Sequence, residues 1–375
     1  FGSINLIHRQ YYILNKPYSK EEYFEKIKEM GINKYSNIEN FKKLAKEFWL
    51  KYPVKYINGS KNVNVSGDHI YNSKNAINCY KAIGSENVKY CQYIPVSPVS
   101  DCYDYTEWGD NANLVYDSIN VGERINNLKF NYQSWDNCKN LEYASYCIAS
   151  SNLFGCVSLR HKEYCILNKQ YSKDEFEKLR EKIIKQMEEM PYIDKKGRIY
   201  KYGEFFPAKL SPFGYNETTA QEFFPMSENE INSHGYNYTD IQKYRGKYEL
   251  TITAKNLPDD INSVSESILK EIISCMKCKN VYKIIKQEYD FYKKQGIALP
   301  RLCPDCRYLE RFNRRNLPKL YNRKCACIGE TSANGIYQNT NQNVHEKSVC
   351  LNLFERSYKR EKKDIVYCEY CYNNE

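Results

Sequence analysis

Residues 138–165 read CKNLEYASYCIASSNLFGCVSLRHKEYC, with Cys138, Cys147, Cys156 and Cys165 nine residues apart and Cys102 four such intervals before Cys138. The hexapeptide Asn113 to Ser118, NLVYDS, returns 27 residues later as Asn140 to Ser145, NLEYAS. Short regular periods of this kind come from stacked coils, in which equivalent positions pile up as rows of like residues. The expectation is a mainly β chain with α+β parts, in which a parallel β-solenoid-like repeat region fills 62–171, with Asn in its turns and Cys in its interior. Seven cysteines fall there (Cys79, Cys91, Cys102, Cys138, Cys147, Cys156, Cys165) without paired spacing. Free Cys behaves as a small buried hydrophobe, so an interior thiol ladder is expected ahead of disulfides, catalysis or metal. Seven is also an odd number, which argues against a complete disulfide framework within the region.

Outward from this region, His161 onward (HKEYCILNKQYSKDEFEKLREKI) repeats His8 to Ile27 (HRQYYILNKPYSKEEYFEKI) at an offset of 153. Each copy is a strand-like run that turns through Asn-Lys into a capping box, Ser19 with Glu22 and Ser172 with Glu175, and so opens a helix. The second helix is expected over Lys173 to Met190, with Phe176, Leu179, Ile183, Ile184 and Met187 at helical spacing. Phe1-Gly2 already aligns with Phe154-Gly155, so the repeat is in register at residue 1 and the protein is expected to start earlier. The domain reading is then 1–30, the end of a preceding repeat unit plus helix; 31–61, a linker or helical segment; 62–171, the solenoid; and 172–190, a capping helix. After these come 191–262, an aromatic and Pro-rich connector, and two zinc modules, 263–324 and 325–375.

The chain has 375 residues, a formal net charge of +10, 42% hydrophobic residues, 37 Tyr and 16 Cys. Such aromatic content excludes disorder throughout and implies Tyr-lined cores. No stretch approaches the roughly 18 apolar residues of a membrane helix, and Phe1 to Gln10 lacks the pattern of a signal peptide. These observations exclude an integral membrane protein and point to the cytoplasm, or to an intracellular viral or phage product. Sequons at Asn58, Asn64, Asn216 and Asn237 are what chance supplies in an Asn-rich chain and do not establish secretion. In the connector, Phe205-Phe206-Pro207 and Phe223-Phe224-Pro225 are expected to pin an irregular segment onto neighbouring surfaces. The rival is an aromatic platform for a peptide or single-stranded nucleic acid.

Cys275-x-x-Cys278, followed after 24 residues by Cys303-Pro-Asp-Cys306, is the strongest chemical signal. Two such pairs close a tetrahedral thiolate shell around one Zn²⁺. A short strand at Val281 to Ile285 and helix formers at Arg307 to Asn316 complete a treble-clef-like order. CMKCKNVYKIIKQEYDFYKKQGIALPRLCPDCR resembles the treble-clef zinc-binding domains of uncharacterised bacterial proteins, matching them at Glu288, Phe291, Tyr292, Gly296, Pro300 and Arg307, with Lys279 where their knuckles carry Gly. Over most of its length the chain resembles zinc-ribbon proteins of bacteria and phages in which an Asn/Cys-rich repeat precedes tandem zinc modules. That resemblance implies structural zinc and carries no activity.

A second set comprises Cys325, Cys327, His345, Cys350, Cys368 and Cys371. Four places are to be filled by Cys350, Cys368, Cys371 and either Cys325 or Cys327, with His345 as a substitute ligand or a group hydrogen-bonded to one. About two structural Zn²⁺ per chain are expected. Between the sets, residues 301–324 carry eight cationic and two acidic side chains. Arg307, Arg311, Arg314 and Arg315 fall near one helical face, and with Arg323 and Lys324 they form a candidate phosphate-contacting surface; a solvated face and an acidic protein partner are the alternatives. Five His, with none in the first zinc module, and no phosphate-cradling loop, nucleophile elbow or His-Glu-x-x-His helix argue against an enzyme, including a zinc-dependent nuclease. The leading reading is a zinc-stabilised nucleic-acid-binding or assembly module on a rigid solenoid. The runner-up is a structural scaffold, such as a virion component, that binds protein through the solenoid and uses zinc only as a staple.

Overall fold

The computed structural model describes residues 1–240, 248–340, 348–359 and 362–375. Its centre is a parallel β-solenoid of about 8 turns over residues 59–166. The local rule that builds it has a period of three. From Asn137 to Leu167 every third residue has a positive φ: Asn137, Asn140, Tyr143, Tyr146 and Ala149, then Asn152, Gly155, Ser158, His161, Tyr164 and Leu167. The residue after each of the first seven points inward, and Cys138, Leu141, Ala144, Cys147, Ser150, Leu153 and Cys156 are all buried. Left-handed backbone costs an L-residue about 1–2 kcal/mol and least where Asn, Asp or Gly stands. This accounts for the Asn richness of the region, and none of these positions holds a β-branched residue.

Four triplets make a coil. Leu141 pairs with Leu153, and Leu153 with Cys165, each step twelve residues. Tyr103 to Tyr116 and Leu128 to Leu141 are steps of thirteen. The thirteenth residue accompanies doubled left-handed positions at Asp110-Asn111, Glu123-Arg124 and Asp136-Asn137. The nine-residue cysteine spacing is therefore three triplets and not a coil repeat. Cys138, Cys147, Cys156 and Cys165 are interior, as expected, but they spiral around the core instead of stacking. Each thiol lies against the next cysteine's carbonyl: Cys138 Sγ to Cys147 O at 3.5 Å, Cys147 Sγ to Cys156 O at 3.8 Å, and Cys156 Sγ to Cys165 O at 3.3 Å. The 27-residue echo is likewise out of register, because Asn113 stacks on Asn126 and Asn126 on Lys139. The true ladder is of amides at left-handed corners: Asn64 donates to Asn75, Asn75 to Asn87, Asn127 to Asn140 and Asn140 to Asn152, at 2.9–3.0 Å.

The last coil turns back as an antiparallel hairpin, Glu163–Ile166 with Lys169–Gln170, and leads into the helix Lys173–Glu189. Both halves of the Ser172–Glu175 capping box are formed. Phe176 of this helix joins Phe130, Tyr143, Phe154 and Ile166 in a buried cluster along the side of the last coils. The first copy repeats this ending bond for bond. Leu14 N donates to Phe1 O at 3.0 Å, as Leu167 N does to Phe154 O at 3.1 Å, and Ser19 caps Lys20–Glu29 as Ser172 caps its helix.

The remaining segments tie the solenoid to the C-terminal modules. In the connector, Gly203 N donates to Tyr143 Oη at 3.1 Å, and the Phe206 ring meets Tyr143 with centroids 5.7 Å apart. Phe223 lies 5.1 Å from Phe312. Segment 31–61 forms the helix Tyr35–Trp49 and the strand Pro53–Lys55, which runs parallel to Ile365–Tyr367. Among the described residues, no helix is long and apolar enough to cross a membrane.

Candidate metal centres

In the first centre the strands Ile273–Ser274 and Val281–Tyr282 pair antiparallel and bring Cys275 and Cys278 to one loop. Lys279 takes the knuckle's left-handed position at φ 65°, and its amide donates to Cys275 O at 3.2 Å. The second pair sits on a helix start: Cys303 caps Pro304–Phe312, with Pro304 in the first turn, and Cys306 lies in the same turn. The sulfurs of Cys275, Cys278, Cys303 and Cys306 all lie within 4.8 Å of one another. Amides aim at them, Lys277 N and Cys303 N at Cys275 Sγ (3.4 and 3.3 Å) and Cys306 N at Cys303 Sγ (3.5 Å). Burial pushes the Cys275 thiol up, but the Cys303, Cys278 and Lys277 amides outweigh it and hold the group below its usual value, whereas burial raises Cys303 and Cys306.

The motif residues around the pairs lock the module together. Arg307 Nη1 donates to Glu288 Oε1 and to Tyr292 Oη, both at 2.9 Å, while Tyr292 Oη donates to Glu288 at 2.9 Å. Gly296 ends the helix Lys286–Gln295 in left-handed conformation, and the buried Arg301 donates to Leu257 O and Pro258 O beneath the Tyr35 ring.

In the second centre, Cys325, Cys350, Cys368 and Cys371 are all buried and their sulfurs lie within 4.8 Å of one another. Cys368 caps the short helix Glu369–Asn373, Cys368 N donates to Cys325 Sγ at 3.2 Å, and Asn352 Nδ2 donates to Cys368 Sγ at 3.3 Å. Of the two alternatives, geometry brings Cys325 into the cluster. Cys327 is buried apart from it, its sulfur accepting from Asn339 Nδ2 at 3.3 Å and its carbonyl from the Cys350 amide. His345 lies outside the described residues. Four thiolates in a closed shell match the donor set of structural zinc, and either group could hold such an ion.

Of the six basic candidates, Arg307 is half-buried and paired with Glu288, with its side chain 25% exposed. Arg315 stacks on Phe312 at 4.0 Å and donates to Tyr93 Oη at 3.2 Å, and Arg323 donates to Lys359 O at 3.0 Å. Arg311, Arg314, Arg315 and Lys324 are exposed. Sequence reasoning missed the Glu288–Tyr292–Arg307 triad as a triad, although its three members were each legible as motif positions. No known protein family, curated protein or solved structure matches the chain.

Proposed function

We propose that the chain is a non-enzymatic scaffold: a rigid β-solenoid held to two zinc-stabilised modules, which offers its basic segment to nucleic acid. The observation that carries the scaffold reading is the parallel pairing of Pro53–Lys55 with Ile365–Tyr367, which ends directly at Cys368. Tyr56 N, at the start of the solenoid, donates to Tyr367 O at 3.0 Å, so a metal at the second centre would fix the cover of the first coils. The hairpin knuckle and helix start of the first centre support the treble-clef assignment. For the partner, exposed Arg311 and Arg314 beside Arg315 favour phosphate contacts, which read charge and not bases. The test is fluorescence anisotropy of the zinc-loaded chain with labelled oligonucleotides across a salt series. Affinity should fall with log salt by a slope of about 0.7–0.9 per phosphate contacted, and an Arg311→Ala, Arg314→Ala double change should flatten it. Salt-insensitive or absent binding excludes the nucleic-acid role and leaves the scaffold, whose protein partner would then meet exposed solenoid residues such as Tyr103 and Tyr116.

A further inference from the structure

A cleft of about 560 Å³ opens between the outer face of the first coils and the segment that follows the Pro304–Phe312 helix; small-ligand sites run from about 300 to 1,000 Å³. The solenoid wall contributes Tyr71, Tyr80, Tyr93 and Lys81, and the facing wall Arg314, Arg315, Tyr358 and Lys362. The two walls are joined by the Arg315–Tyr93 hydrogen bond at 3.2 Å, and Lys362 Nζ is set by a 2.7 Å bond to Asn316 Oδ1, so the cleft is already formed. Four cations face two carboxylates, Asp68 and Asp364. Asp68 is engaged by both nitrogens of Asn58, the His69 amide and the Ser357 hydroxyl.

A further cation lies behind the Tyr358 wall, outside the cleft lining. Arg356 is fully buried, its guanidinium lies 4.0 Å from the centroid of the Tyr358 ring, and among the described residues neither Nη1 nor Nη2 has a hydrogen-bond partner. Burial holds its pKa down at about 9, which leaves it charged at neutral pH. Its Nε donates to Tyr358 O at 3.4 Å, and Asp364 and Asp68 favour its charged form.

Aromatic rings combined with cations are the surface that takes single-stranded nucleic acid, with bases stacking and phosphates neutralised. We infer that this cleft seats one phosphorylated nucleoside of a single strand, its base against Tyr71 and Tyr93 and its phosphate toward Arg314 and Lys362, an assignment that rests on the nucleic-acid reading above. A duplex keeps its base faces stacked and cannot use the site.

The test compares a labelled oligothymidylate with a duplex of equal length on the full zinc-loaded chain, with thymidine 5′-monophosphate and inorganic phosphate as competitors. Tyr71→Ala, which removes none of the bonds that join the walls, should cost the single strand about tenfold in affinity and leave the duplex within about twofold, with zinc content and melting unchanged. Tyr71→Phe, which keeps the ring, should retain binding and guards against a folding defect. The monophosphate should compete for the single strand better than phosphate does; equal competition by the two overturns the stacked base. Equal losses on both probes, or no loss on either while Arg311→Ala weakens both, overturn the cleft assignment and leave the nucleic-acid reading standing. No binding of either probe by the unmodified chain overturns that reading itself.

Discussion

Arg180 holds Glu142 by two hydrogen bonds, Nε to Oε2 at 2.5 Å and Nη2 to Oε1 at 2.7 Å, and so fastens the capping helix to the last coils of the solenoid. Tyr202 Oη donates to the same carboxylate at 2.6 Å. Burial alone would raise the Glu142 pKa, but the Arg180 and Tyr202 bonds outweigh it and hold the carboxyl below its usual range. A depressed carboxyl contributes stability that is present above its unfolded value and is lost as pH falls through the folded one. Arg180→Ala should therefore cost about 1.5–3 kcal/mol at neutral pH and less once Glu142 is protonated. Hydrogen exchange of the Glu163–Ile166 amides across pH checks this, and a loss that does not shrink as pH falls through the Glu142 titration contradicts it.

Removal of one zinc should leave the other. Cys303→Ser with Cys306→Ser should drop bound zinc from two to one per chain and unfold residues 273–312, because structural zinc supplies about 10–16 kcal/mol of apparent binding free energy. Cys327→Ser should leave the zinc count unchanged. Metal analysis of reduced protein reads both, and finding no zinc in the unmodified chain refutes both centres.

The interior thiols should resist reagents. Cys138, Cys147 and Cys156 are fully buried and burial raises their pKa values, which suppresses the reactive thiolate. Alkylation followed by peptide mass mapping should leave all three unmodified in the native protein and label them in denaturant. The exposed Cys278 should react first once a chelator is present.

Left-handed corners predict an inverted glycine effect. Asn152→Val should cost about 1–2 kcal/mol or more, because a β-branched residue is forced to φ 53° and the amide ladder loses the bond from Asn140. Asn152→Gly keeps the backbone preference and should cost less. Chemical denaturation of the pair decides, and a more stable Val variant excludes the argument.

Arg307 should separate structure from binding. Arg307→Ala should lower the melting temperature of the first module by removing its bonds to Glu288 and Tyr292, while nucleic-acid affinity at fixed zinc loading stays within about twofold of the unmodified chain. A selective loss of affinity without destabilisation would restore Arg307 to the binding face.

What was legible in the residues is what depends on near neighbours. Ser172 and Glu175 announce a helix start three residues apart, and Cys275 with Cys278 announces a knuckle, because spacer length alone brings the groups together. The solenoid was legible as a class, but its triplet was not. The left-handed requirement is met at successive corners by Asn140, Tyr143, Tyr146 and Ala149, and no single residue type repeats. Cysteine identity therefore suggested a period of nine that the coils do not have. The choice of Cys325 over Cys327 depends on the pairing of Tyr321–Lys324 with Leu353–Arg356. The engagement of Arg307 depends on a carboxylate 19 residues away. Neither is written in local spacing.

Pairing between Pro53–Lys55 and Ile365–Tyr367, reinforced by the Lys55–Glu369 ion pair across 314 residues, sets an order of events during synthesis. Coils add one upon another as the chain emerges from the ribosome, since each contacts only its predecessor. The segment before the first coils, however, gains its partner strand only after the residues around Cys368 have been made. That closure is the most sequence-distant contact described here, and distant contacts form slowly. Until it forms, the strand Pro53–Lys55 is without its partner and presents an unpaired edge.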